Sequence, residues 1–145
     1  MLLRVLALFE ILLYMKVILV QVLYFIINNR FIFKIKKVQQ YTVECIKETG
    51  VKTELIEEAK KGQLSDDGGF KKFLFCFFQK TGMLTSDAKL NTEVALSKLP
   101  PGIDKAAASK LLDECKAKKG KDSADTAYEI FKCYYSGTKQ HVIFA

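Results

Sequence analysis

The sequence predicts an all-α fold: a compact domain of six helices stapled by disulfides, preceded by an apolar leader. Three observations carry this. Beyond residue 37 no segment alternates convincingly with period 2, whereas apolar residues recur at three- and four-residue spacing. Gly, Pro and short polar clusters interrupt that pattern at regular intervals. All four cysteines (Cys45, Cys76, Cys115 and Cys133) lie beyond residue 37, in a stretch small enough for cross-links to matter.

The leader comes first. Residues 5–27 are apolar except for Glu10, Lys16 and Gln21. Such a run is a membrane-targeting segment before it is anything else. Arg4, or alternatively Met15 followed by Lys16, supplies a positive start, and residues 17–27 make an apolar stretch of ordinary signal-peptide length. No small-x-small cleavage pattern follows it in "IINNRFIFKIKK". Arg30, Lys34, Lys36 and Lys37 outnumber the basic residues before the run, a bias that in an uncleaved anchor would hold the rest of the chain in the cytoplasm. Residues 1–37 are therefore expected to be a signal peptide, or a targeting segment with a misassigned start, and residues 38–145 the folded domain.

Charge follows the same division. The chain carries a formal +7, but residues 1–37 hold six basic and one acidic side chain, a net of +5. Residues 38–145 keep 17 basic and 15 acidic groups, a net of +2. The basic character therefore does not point to a nucleic-acid partner.

Residues 39–49 read as the first helix, with Tyr41 and Cys45 one turn apart and Gly50 as the stop. Thr53 is placed to cap a short second helix, "ELIEEAKK", ending at Gly62. "SDDGG" opens the third helix, where five of the nine residues 70–78 are Phe. On it Phe70, Phe73, Leu74 and Phe77 fall on one side, and Lys71, Lys72, Gln79 and Lys80 on the other. "TGMLTSDAKLN" reads as a long polar turn, and residues 92–99 as a fourth helix stopped by Pro100 and Pro101. Asp104 caps a fifth, "KAAASKLLDECKAKK", whose basic end suits the helix dipole. Asp122 or Ser123 caps a sixth, running through "TAYEIFKCYY" to Gly137.

Four cysteines allow three disulfide connectivities. Their spacings of 30, 38 and 17 intervening residues contain no close ligand pair, and His141 is the sole histidine, so no metal site is expected. Cys76 lies on the flank of the Phe-rich helix where a neighbour would touch. Cys45 is its economical partner, leaving Cys115 and Cys133 to join the fifth and sixth helices.

Cys45 in the first helix, the Phe-rich Cys76 helix followed by "KTGML", then Cys115 and "DTAYEIFKCYY" around Cys133, resemble an insect odorant-binding protein of the pheromone/general odorant-binding family. The usual member has six cysteines. This chain has Lys72 and Ala124 where the second and fifth would fall, and in the family those two pair with each other. Both halves of one bridge are absent together, which resembles the four-cysteine "minus-C" type. The resemblance covers about residues 39–145. It implies Cys45–Cys76 and Cys115–Cys133 pairing, a central apolar cavity, and closeness of Lys72 and Ala124, with Asp122 and Asp125 near enough to compensate Lys72. It makes Phe73, Phe77, Leu111, Ile130 and Tyr134 candidate cavity-lining residues, with Tyr134 able to donate a hydrogen bond.

The end of the chain, "HVIFA", is apolar where a solvated tail would be polar, so Val142 and Phe144 join the candidates as a tail folded back across the sixth helix. No enzyme is expected. "SDAK" at 86–89 matches Ser-x-x-Lys by chance, without its companion motifs, and His141 has no carboxylate or nucleophile near it in sequence. The expected function is a secreted, extracellular carrier of small hydrophobic ligands such as odorants or pheromones. It needs no cofactor, has an olfactory receptor as a further candidate partner, and keeps no stable membrane association once processed. The competing expectation is a disulfide-stapled helical interaction protein with a filled core.

Overall fold

The computed structural model describes residues 2–100 and 102–138. Among these residues six α-helices follow in order: α1 (Leu2–Thr49), α2 (Thr53–Lys60), α3 (Gly68–Lys80), α4 (Thr92–Lys98), α5 (Lys105–Cys115) and α6 (Ser123–Gly137). The chain divides into two compact units, residues 1–37 and 38–145. In the first, the α1 residues are exposed almost throughout, and α1 is long and apolar enough to cross a membrane.

The helix starts are set by local side chains. Asp67 accepts from Phe70 N–H, Asn91 from Val94 N–H, Asp104 from the N–H groups of Ala106 and Ala107, and Asp122 from Asp125 N–H. Each satisfies a donor that the first helical turn leaves unpaired. α2 differs from expectation: Lys52 stands at its cap position without a side-chain bond, and Thr53 is already helical. Gly50, at φ 64°, ends α1 with its N–H donating to Ile46 O, a conformation that costs glycine nothing.

Two further expectations are corrected. α5 stops at Cys115, and Lys118 N–H turns back to Cys115 O, so the lysines at 116–121 lie beyond the helix rather than at its basic end. Cys115, fully buried in a disulfide, is the last helical residue, and the exposed polar run that follows leads into Gly120 and the cap of the next helix. The segment after α3 is not simply a polar turn, because Leu84 and Ala88 are buried and Leu84 pairs with Leu90 in an isolated bridge.

The core of the second unit has two parts. Cys45, Val51, Ile56, Ala59, Phe70, Phe73, Leu74, Phe77 and Tyr128 form one cluster; Leu84, Cys115, Ala127 and Ile130 form another. Phe78 packs against both. The expected inward face of α3 is the buried one, since Phe70, Phe73 and Leu74 have no exposed surface.

Candidate functional site: the aromatic seam between α3 and α6

α3 brings its Phe-rich face against α6, the most extensive contact between any two helices. Phe73 and Phe77, one turn apart, stack with ring centres 6.1 Å apart. Phe77 meets Phe78 edge-on at 5.8 Å, Phe78 meets Phe131 of α6 at 5.6 Å, and Phe131 meets Tyr135 at 5.8 Å. Five rings thus run in sequence from α3 onto α6. Offset and edge-on pairs of this kind add attraction beyond the area they bury.

The expected ligand residues divide between the core clusters. Phe73 and Phe77 belong to the first. Ile130 belongs to the second, with half-buried Leu111 and Tyr134 against it. Burial pushes the Tyr134 phenol up, a hydrogen bond with the Thr138 side chain acting in the opposite sense, so the O–H stays protonated at neutral pH and available to donate. Val142 and Phe144 lie outside the described residues, as does His141.

Sequence reasoning missed Phe78, Phe131 and Tyr135. Phe131 and Tyr135 stand four apart on one helix, a spacing visible in the chain. Phe78 carried the same signal, standing four residues after Leu74 and completing the i, i+3, i+4, i+7, i+8 pattern that starts at Phe70.

An open groove of about 560 Å³ lies on another side of α3, lined by Glu48, Thr49, Lys72, Phe75, Cys76, Gln79 and Lys80. It includes none of the expected ligand residues. Its rim is charged: Lys80 reaches Glu44 at 3.0 Å and Glu48 at 3.1 Å. Such a groove suits the solvated side of the α1–α3 contact better than an apolar ligand.

Covalent links frame the seam. Cys45–Cys76 ties α1 to α3 with Cα atoms 5.7 Å apart, and Cys115–Cys133 ties the end of α5 to α6 at 5.6 Å. The expected partner of Asp125 is corrected: Lys71, not Lys72, reaches it, at 2.7 Å. Lys72 is exposed and lines the groove instead.

The PBP/GOBP family profile matches residues 34–137, which cover the whole seam. The chain belongs to this family. Among relatives, it is 37% identical over 101 residues to general odorant-binding protein 69a of Drosophila melanogaster, covering 69% of this chain and 68% of that one. Among solved structures, it resembles the fatty acid binding protein OBP56a from the oral disk of the blowfly Phormia regina. The TM-score is 0.61 at 32% identity, covering 70% of this chain and 89% of the other. It also resembles odorant binding protein 7 from Anopheles gambiae, which has four disulfide bridges and was solved with an azo compound. There the TM-score is 0.62 at 26% identity, covering 72% and 85%. Within the PBP/GOBP family, the four cysteines and two disulfides of this chain fit the minus-C type.

Proposed function

We propose that residues 38–145 form a carrier for small hydrophobic molecules, held between helices on the α3–α6 seam. The observation that carries this is the run of five aromatic rings across two helices in a member of the PBP/GOBP family. A ligand there gains from desolvation and from contact with ring faces, and Tyr134 supplies one polar anchor. Phe73, Phe77, Leu111, Ile130 and Tyr134 are the proposed lining, extended by Phe78, Phe131 and Tyr135, with Val142 and Phe144 added from the tail. The blowfly relative is named for fatty acid binding and the mosquito relative holds an azo compound, which supports apolar ligands as the class.

The relatives are odorant-binding proteins rather than enzymes, and carrier function needs no chemistry at the seam. Two disulfides and the apolar leader support export, with residues 1–37 removed and the domain working outside the cell. N-terminal sequencing of the exported protein tests that removal. An olfactory receptor is the proposed downstream partner.

Displacement of a fluorescent apolar probe tests the carrier reading directly. Purified residues 38–145 should bind N-phenyl-1-naphthylamine and release it to members of a broad set of alcohols, esters, terpenoids and fatty acids. If the probe never binds, the filled-core interaction protein takes its place.

A further inference from the structure

The disulfides join helices in two pairs, α1 with α3 and α5 with α6. Neither crosses the α3–α6 seam, and all four cysteines are used. The seam is therefore held by non-covalent contacts alone. At one end these are the Phe78 and Phe131 rings. At the other an ion pair stands beside a ring contact, Phe70 of α3 meeting Tyr128 of α6 edge-on at 6.5 Å. Lys71, in the first turn of α3, places Nζ 2.7 Å from Asp125 Oδ1 on α6 and 2.8 Å from Asp66 Oδ1. The Lys71 and Asp125 side chains are each only 19% exposed, whereas Asp66 is 83% exposed. The same ammonium lies 5.0 Å from the centre of the Tyr128 ring, with Lys132 approaching that ring at 5.9 Å. Asp125 also accepts from Lys121 N–H at 2.9 Å, so its position is fixed from the α6 side.

We propose that Lys71 and Asp125 form a clasp that sets how fast ligand enters and leaves between α3 and α6. This rests on the carrier reading above. The physical reason is differential stabilisation: parting the helices breaks the ion pair and leaves two charges beside the newly uncovered Tyr128, so the pair stabilises the closed seam and not the open one. Asp66, being solvated, can follow Lys71 in either state and contributes little to the difference. The clasp occupies the residues next to Lys72 and Ala124, the positions that the family resemblance assigns to the absent cystine. An ion pair there can open on the timescale of ligand exchange; a disulfide cannot.

Stopped-flow dissociation of N-phenyl-1-naphthylamine from wild type, Lys71→Met, Asp125→Asn and the double variant tests this. Met keeps an unbranched side chain of similar length without the charge, and Asn keeps an acceptor for Lys121 N–H. Each single change should speed dissociation about five- to tenfold, and the double should be no faster than the faster single, because both remove one interaction. Amide hydrogen exchange in α3 and α6 should rise in the same variants. Dissociation within twofold of wild type with unchanged amide exchange, additive effects, or an equal effect from Asp66→Asn would overturn the clasp. A wild-type domain that bound no probe would remove the carrier reading. Amide exchange needs no ligand, so it would then judge the clasp alone.

Discussion

Gly137, the last residue of α6, lies against Leu111 of α5: a Cβ added there would come 2.5 Å from Leu111 Cδ1 and 3.0 Å from Cδ2. Gly137→Ala should therefore displace the Leu111 side chain. The clash costs about 1–3 kcal/mol, against about 0.5–1 kcal/mol gained from replacing a helical glycine. A net loss of about 1 kcal/mol is expected, lowering Tm by roughly 4–8 °C. Adding Leu111→Ala should restore part of that loss relative to the sum of the single changes, as thermal unfolding of all three variants will show.

Removing either disulfide should be costlier. Cys45–Cys76 closes a sequence separation of 31 residues and Cys115–Cys133 one of 18. Loop-closure entropy assigns each about 3–4 kcal/mol, the longer loop slightly more. Paired Cys→Ser variants, followed by urea unfolding, should lose that much, with Cys45→Ser/Cys76→Ser the less stable. Equal stability to wild type would mean that the seam and core suffice without the cross-links.

The clasp also predicts a pH profile. The Lys71 ammonium, then Lys121 N–H, hold the Asp125 carboxyl below its ordinary value. Hydrogen bonds to Asp125 and then Asp66 hold Lys71 above its own. A depressed carboxylate contributes fully above its unfolded pKa and is lost as pH falls through the folded one. A raised lysine contributes fully below its unfolded pKa and is lost only as pH rises through the folded one. The Tm difference between wild type and Lys71→Met should therefore be flat from about pH 5 to about pH 9, and narrow progressively as pH falls below the ordinary Asp value of about 4 and Asp125 takes up a proton. A difference that vanishes near neutrality would place the controlling group elsewhere.

The tail remains a proposal about ligand binding. Deleting residues 141–145 should weaken probe affinity while leaving the far-UV circular dichroism of the domain nearly intact, because helices α1 to α6 end before it. Unchanged affinity would remove Val142 and Phe144 from the lining.

A further prediction concerns the absent bridge. Lys72→Cys with Ala124→Cys should form a third disulfide on oxidative refolding, provided the Cα atoms lie within the ~7 Å a cystine can span. Lys71 and Asp125, each the immediate neighbour of one of these positions, already meet at 2.7 Å. The cross-linked domain should melt higher and exchange probe more slowly than wild type. Mass spectrometry that finds both new thiols free would overturn the alignment of Lys72 and Ala124 with the missing cysteines.

What the sequence determined by itself was local. Asp104 and Asp122 cap helices because a short carboxylate reaches an N–H two or three residues ahead, whatever surrounds it. Phe70, Phe73, Leu74 and Phe77 share a buried face because helical periodicity puts them together. Tertiary structure decided what those faces meet. Lys71 and Lys72 are equivalent in composition and both fall on the polar side of α3. Only the approach of α6 selects Lys71 for Asp125 and leaves Lys72 to the groove. Phe78 enters the seam for the same reason, its ring finding Phe131 on a helix more than fifty residues on. Periodicity reports the direction of a side chain from its own axis. The partner depends on where a second axis lies, and that is settled by the summed packing of the whole core.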